Sequence, residues 1–129
     1  MTNSSGANAV LAILERLFDA FNRHDLDAIM ERFAEDCTLE MPRGPDPWGQ
    51  RFVGKVQVRE GLAGRFAGIP DVHYGQERHW ACADEFGVSE WTLSGTTATG
   101  TAVNVRGTDH YTIRDGLVIR KNSFWKIVE

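Results

Sequence analysis

Within Val105–Arg114 the odd positions Val105, Gly107, Tyr111 and Ile113 are apolar or aromatic, and Asp109 interrupts them. Alternate side chains of a strand share a face, so the pattern predicts a carboxylate on the apolar side of a sheet. Such a group must be paired, hydrogen-bonded or protonated, because a lone buried charge is too unfavourable. A carboxylate held in this way is equipped for proton transfer. Downstream, Arg114-Asp115-Gly116 fits a three-residue hairpin loop with Gly116 in the left-handed position, pairing Ile113 with Leu117. In that register Asp109 falls opposite Lys121, which shares a face with Leu117, Ile119, Ser123, Trp125 and Ile127. A two-residue turn would instead oppose Asn122 to Asp109 and send Lys121 outward. The first register buries the more apolar set and is the one expected. The plain alternative to chemistry is an Asp–Lys pair that fixes strand register.

Other chemistry-bearing residues carry less. His73 and His79 lie six apart, which predicts one shared strand face but provides no third ligand for a metal. His24 falls in a turn and His110 on the outer side of its strand. Cys37 and Cys82 have no Cys-x-x-Cys spacing, so reduced thiols in a cytoplasmic protein are expected. No metal and no cofactor is expected.

The elements that must position Asp109 come from 129 residues, 42% of them apolar and 25% charged. That is one domain's worth of chain, taken as residues 1–129. Fourteen basic and eighteen acidic side chains leave a net charge of −4, which argues against nucleic acid as the partner. No apolar run approaches the roughly 20 residues that span a bilayer. The opening Met1-Thr2-Asn3-Ser4-Ser5-Gly6 lacks a charged leader start, so a cytoplasmic location is expected.

From Asn8 to Arg23, Val10, Ile13, Leu14, Leu17, Phe18 and Phe21 recur at helical spacing, with polar residues filling the opposite arc. Asp25 fits as N-cap of a second helix through Leu26, Ile29, Met30 and Phe33. Cys37–Met41 predicts a short strand, and Pro42–Gly49 a loop. Lys55–Phe66 predicts a third helix despite Gly61 and Gly64, which cost about 1 kcal/mol each. After Pro70 the period becomes two, predicting strands over 72–83, 86–94, 101–114 and 117–128. The order defines an α+β fold: one curved antiparallel sheet with helices on one face.

Several segments resemble the nuclear-transport-factor-2-like superfamily, home of ketosteroid isomerases and SnoaL-like polyketide cyclases. They are Phe21-Asn22-Arg23-His24-Asp25-Leu26-Asp27, Phe33–Pro42, Glu90–Thr96 and Gly107–Gly116. The resemblance implies a cone-shaped sheet wrapping three N-terminal helices around an apolar pocket, and a homodimer through the outer sheet face. That face would carry Arg106, Thr108, His110, Thr112, Phe124 and, in one strand phase, Trp91. Ketosteroid isomerases use an Asp base with a Tyr and a protonated Asp in the oxyanion hole. The resemblance places Met41 at the base position, Leu17 at the Tyr position and Asp109 at the oxyanion-hole Asp. SnoaL-like cyclases carry an acid/base Asp in the same Gly-x-Asp-x-aromatic strand, but the His of their Gly-Thr-His segment is Thr97 here. The last Asp of limonene-epoxide-hydrolase-type members falls at Ser123.

The candidate catalytic set is Asp109, Lys121 and Glu90. Glu90 faces the pocket if Val88, Glu90 and Thr92 form the inner set, and the opposite phase buries Trp91 and Leu93. Leu17, Met41, Tyr111, Ser123 and Trp125 are the candidate walls, with Trp48 closing the mouth. Two functions compete. One is a cofactor-free isomerase, cyclase or lyase in which Asp109 moves a proton on a small apolar carbonyl compound. The other is a dimeric small-molecule-binding protein that has lost its base.

Overall fold

The structure, a computed structural model, describes residues 2–129, with side chains from Gly6 onward. Met1, part of the opening read for a leader, lies outside the described residues. Three helices, α1 (Thr2–Asn22), α2 (Leu26–Met30) and α3 (Lys55–Gly68), accompany six strands. The strands are β1 (Phe33–Glu40), β2 (Arg51–Val53), β3 (His73–Ala83), β4 (Phe86–Thr96), β5 (Ala102–Arg114) and β6 (Leu117–Trp125). They form one curved sheet in the order β2-β1-β6-β5-β4-β3. The fold is α+β, as the periodicity predicts.

The sheet is mixed rather than purely antiparallel, because β1 runs parallel to β6. β2 escapes the periodicity: three residues after the proline-rich loop are too few to show a pattern, yet they pair with Thr38–Glu40. β6 ends at Trp125, so Ile127 lies beyond the sheet and is exposed.

Asp25 caps α2 as its side chain accepts from the Ala28 N–H at 3.1 Å. The turn before it ties α1 to β3. Asn22 mimics a neighbouring strand, its amide donating to the Tyr74 carbonyl at 3.0 Å and accepting from the Tyr74 N–H at 2.8 Å. His24, with φ of 56°, brings Nε2 to 2.7 Å from the Val72 carbonyl. The core lies between this helical layer and the inner sheet face, where Leu14, Leu17, Phe18, Phe21, Ile29 and Leu62 meet Leu39, Trp91, Leu93, Tyr111 and Val118.

Two bulges set which residues look inward. Between Gly75 and Arg78, β3 advances one residue more than β4, with Gln76 at φ 51°. The insertion flips the strand's phase. His79 therefore points inward, while His73 is exposed on the other face, so the shared face expected of them is not formed. At the β5–β6 hairpin the turn is the two-residue one, Arg114 pairing with Leu117 across Asp115 and Gly116. Both turn residues have positive φ, 54° and 78°, the geometry whose twist matches the flanking strands. A bulge then inserts Ile119 between Val118 and Arg120.

The expected register is thereby corrected. Asp109 pairs with Ser123, and Lys121 pairs with Tyr111. Lys121 still faces inward because the bulge restores the phase that the shorter turn would have reversed. On β4 the inner set is Gly87, Ser89, Trp91 and Leu93. Glu90 lies on the outer face, bonded to Arg106 at 3.0 Å, and Trp91 is absent from that face.

Candidate functional site

Asp109 is 1% exposed and Lys121 7%. The register puts four donors around one carboxylate. Oδ1 accepts from Ser123 Oγ at 2.6 Å and from Lys121 Nζ at 3.2 Å. Oδ2 accepts from the Trp91 indole N–H at 2.9 Å and from the Tyr111 hydroxyl at 3.2 Å. Trp and Lys side chains can only donate, so the arrangement suits an anionic acceptor.

Gly107 makes the Trp91 contact possible. A Cβ there would stand 2.4 Å from the indole and 2.6 Å from the Phe124 carbonyl, so any larger residue would drive the ring away. The missing side chain on β5 is the space that the β4 tryptophan fills.

Lys121 Nζ also donates to Ser123 Oγ at 2.8 Å. Its remaining surroundings are ring faces, Phe21 at 5.5 Å and Tyr111 at 5.9 Å. Burial pulls the lysine below its ordinary value, against the opposing pull of Asp109, and Arg65 lowers it further. Burial pushes the Tyr111 hydroxyl well up, and the carboxylate beside it adds to the rise. Tyr74 is also pushed up, again chiefly by burial.

Arg65 and Tyr74 belong to the surroundings of this centre and were not singled out in the sequence. Arg65 lies over the Trp125 ring at 4.5 Å, Trp125 meets Trp91 edge-on at 6.2 Å, and Tyr74 meets Trp91 at 5.2 Å. An arginine on a weakly patterned helix gives no sequence signal for such stacking. Tyr74 is within reach of sequence reasoning as an aromatic that alternates with Val72 on a predicted strand.

The remaining candidates are dispersed. Leu17 is fully buried in the core. Met41, Trp48 and Ser123 share a cleft of about 300 Å³ with Glu40 and Pro42. Trp48 is 44% exposed on its rim, with Arg51 over the ring at 4.5 Å. A larger cleft of about 640 Å³ runs between Arg43 and the stretch Val103, Val105, Trp125 and Ile127. Trp125 thus joins that cleft to the Trp91–Asp109 contact. Glu40, the other buried carboxylate among the described residues, faces outward. Arg51 clamps it at 2.6 Å and Arg120 at 2.5 Å.

No group of three or more His, Cys, Asp or Glu able to hold a metal is found among the described residues. Nor is any of their helices long and apolar enough to cross a membrane.

A bent, unclosed sheet around three helices, with a polar centre on its inner face, defines a nuclear-transport-factor-2-like protein. Within that class the chain belongs to the SnoaL-like domain family, whose pattern it matches over residues 14–121. No curated protein matches it. Solved structures agree on the fold. A candidate polyketide cyclase of Xanthomonas campestris pv. campestris is 19% identical, with a TM-score of 0.83 over 94% of this chain and 93% of that one. A candidate SnoaL-like polyketide cyclase of Jannaschia sp. CCS1 is 21% identical, with a TM-score of 0.80 over 93% and 87%. A candidate ketosteroid isomerase of Kribbella flavida is 20% identical, with a TM-score of 0.76 over 95% and 82%.

Proposed function

We propose that this chain, taken whole as one cytoplasmic domain over residues 1–129, is a cofactor-free isomerase, cyclase or lyase of SnoaL-like type. Its substrate is a small apolar carbonyl compound, and Asp109 moves the proton. The observation that carries this reading is the carboxylate on the inner face, surrounded by four donors fixed by the fold. The cleft beside Trp125, about 640 Å³, is within the range that small-molecule sites occupy. A substrate there would approach Asp109 past Trp125 and Trp91. Names carried by structures of the same fold, polyketide cyclase and ketosteroid isomerase, are consistent with carbonyl chemistry. Turnover of a steroid enone is not expected, because Leu17 and Met41 supply neither a hydroxyl nor a base at the positions the resemblance assigns to them.

The second reading, a dimeric small-molecule-binding protein without chemistry, is favoured by the near-complete burial of Asp109. Proton–deuterium exchange at the activated carbon of 2-tetralone, followed by NMR in D2O, separates the two. Exchange faster than buffer by about 10²-fold or more, lost in Asp109→Asn, supports proton transfer. Quenching of tryptophan fluorescence by the ketone without any exchange supports binding alone.

A further inference from the structure

Lys121 is the only buried one of the three lysines in the chain; Lys55 and Lys126 are not buried. As a structural ion pair its position is poorly explained. Asp109 also accepts from Ser123, Trp91 and Tyr111, so the cation is one of four donors and not its sole partner. Buried ion pairs are often no better for stability than apolar side chains of the same volume. The lysine nitrogen donates to two oxygens only, Asp109 Oδ1 and Ser123 Oγ. Two is the number of hydrogens on a neutral amine. The third N–H of an ammonium meets no oxygen, only cation–π contact with the Phe21 and Tyr111 rings. Trp125, which lines the cleft of about 640 Å³, meets the Trp91 ring whose indole donates to Asp109, and the carbonyl compound would come to the amine from that side.

We infer that Lys121 is a covalent site, its amine forming an imine with an aldehyde or ketone carried by an apolar body. The inference takes its substrate class from the function proposed above and rests on it. Every group the step needs is within hydrogen-bond reach. The lysine ammonium passes a proton to Asp109, and the freed amine adds to the carbonyl carbon, forming a C–N bond as the C=O electrons move to oxygen. A proton then travels from nitrogen to that oxygen through the Ser123 hydroxyl, giving a neutral carbinolamine. The Asp109 carboxyl returns its proton to the carbinolamine hydroxyl, the C–O bond breaks, and water leaves. The products are a protonated imine and a carboxylate facing each other, with the charges of the starting ion pair. Burial favours the proton transfer that frees the amine.

The test is reductive trapping of the whole chain with sodium cyanoborohydride at pH 7, with peptide mapping of all three lysines. Formaldehyde, the smallest carbonyl compound, probes the amine, and 2-tetralone probes the site. Each unit by which an amine pKa falls gives about tenfold more free amine at neutral pH. Lys121 is therefore expected to react with formaldehyde several-fold faster than Lys55 and Lys126, and to carry the tetralone adduct. Modification of Lys121 no faster than that of the other two overturns the inference. So does a formaldehyde product without a tetralone adduct at Lys121. Ketone exchange in D2O without trapping would sink the imine and leave Asp109 as a proton carrier. Trapping without exchange would do the reverse.

Discussion

Ser123 and Asp109 stand directly opposite each other on β6 and β5, and the serine hydroxyl donates to the carboxylate over 2.6 Å. The same oxygen accepts from Lys121 at 2.8 Å, so one hydroxyl links both charges. Ser123→Ala removes a buried, charge-assisted bond and should destabilise the fold by about 1.5–3 kcal/mol. Urea unfolding with an unchanged m-value checks it. A change below a few tenths of a kcal/mol would show that water replaces the hydroxyl.

Lys121→Met alone leaves a buried carboxylate without its cation and should destabilise by about 3–5 kcal/mol. Asp109→Leu with Lys121→Met, which removes both charges, should recover most of that loss. A double-mutant cycle by denaturant unfolding measures the coupling. Additive losses would mean that the two charges do not depend on each other.

His79 is inward-facing, its Nδ1 2.7 Å from Ser89 Oγ and its ring 4.9 Å from Phe18. Burial depresses its pKa below the ordinary 6.5, against the opposing pull of Glu77 and Glu15. The unfolded chain therefore takes up the proton first as pH falls. Stability contributed by neutral His79 is complete above about 6.5 and is lost as pH drops through the depressed folded value. In His79→Gln the melting temperature should fall less between pH 7 and pH 5 than in the unaltered protein. Parallel curves would remove His79 as a source of acid sensitivity.

On the outer sheet face Phe124 is 48% exposed, with its ring 5.0 Å from His110. Phe86 packs on the other side of His110 at 6.0 Å. A face with these rings fits self-association around a two-fold axis. Light scattering should give twice the chain mass at micromolar concentration, falling to the single-chain mass in Phe124→Asp. A monomer in the unaltered protein defeats this surface as an interface.

The elements were legible where one period ran uninterrupted. Val10 to Phe21 declares α1, Asp25 declares its cap, and the odd positions of β5 place Asp109 inward, all from spacing alone. What spacing could not carry was phase across a bulge. Ile119 and the Gln76-Glu77 step each shift a count by one residue, and one residue exchanges the faces of a strand. Lys121 was therefore placed inward on the right face but opposite the wrong partner, and His73 was joined to a face it does not share. On β4 both faces hold apolar residues, Val88 on one and Trp91 with Leu93 on the other, so alternation could not choose. The space left by Gly107 chooses, because only the Trp91 phase fills it.

The parallel pairing of β1 with β6 also orders events during synthesis. β2-β1 and β3-β4-β5 are two separate pieces of sheet until Leu117–Trp125 is inserted between them. Thr38 must wait for Arg120, the partner with which it pairs across most of the chain. Such distant pairing slows folding, since the entropy of closing the loop is lost before the contact forms. Until β6 has left the ribosome, Asp109 has Trp91 and Tyr111 but neither Ser123 nor Lys121. Completion of the sheet and arrival of the lysine are one event, and a nascent chain halted at Arg114 would hold a half-dressed carboxylate on an open strand edge.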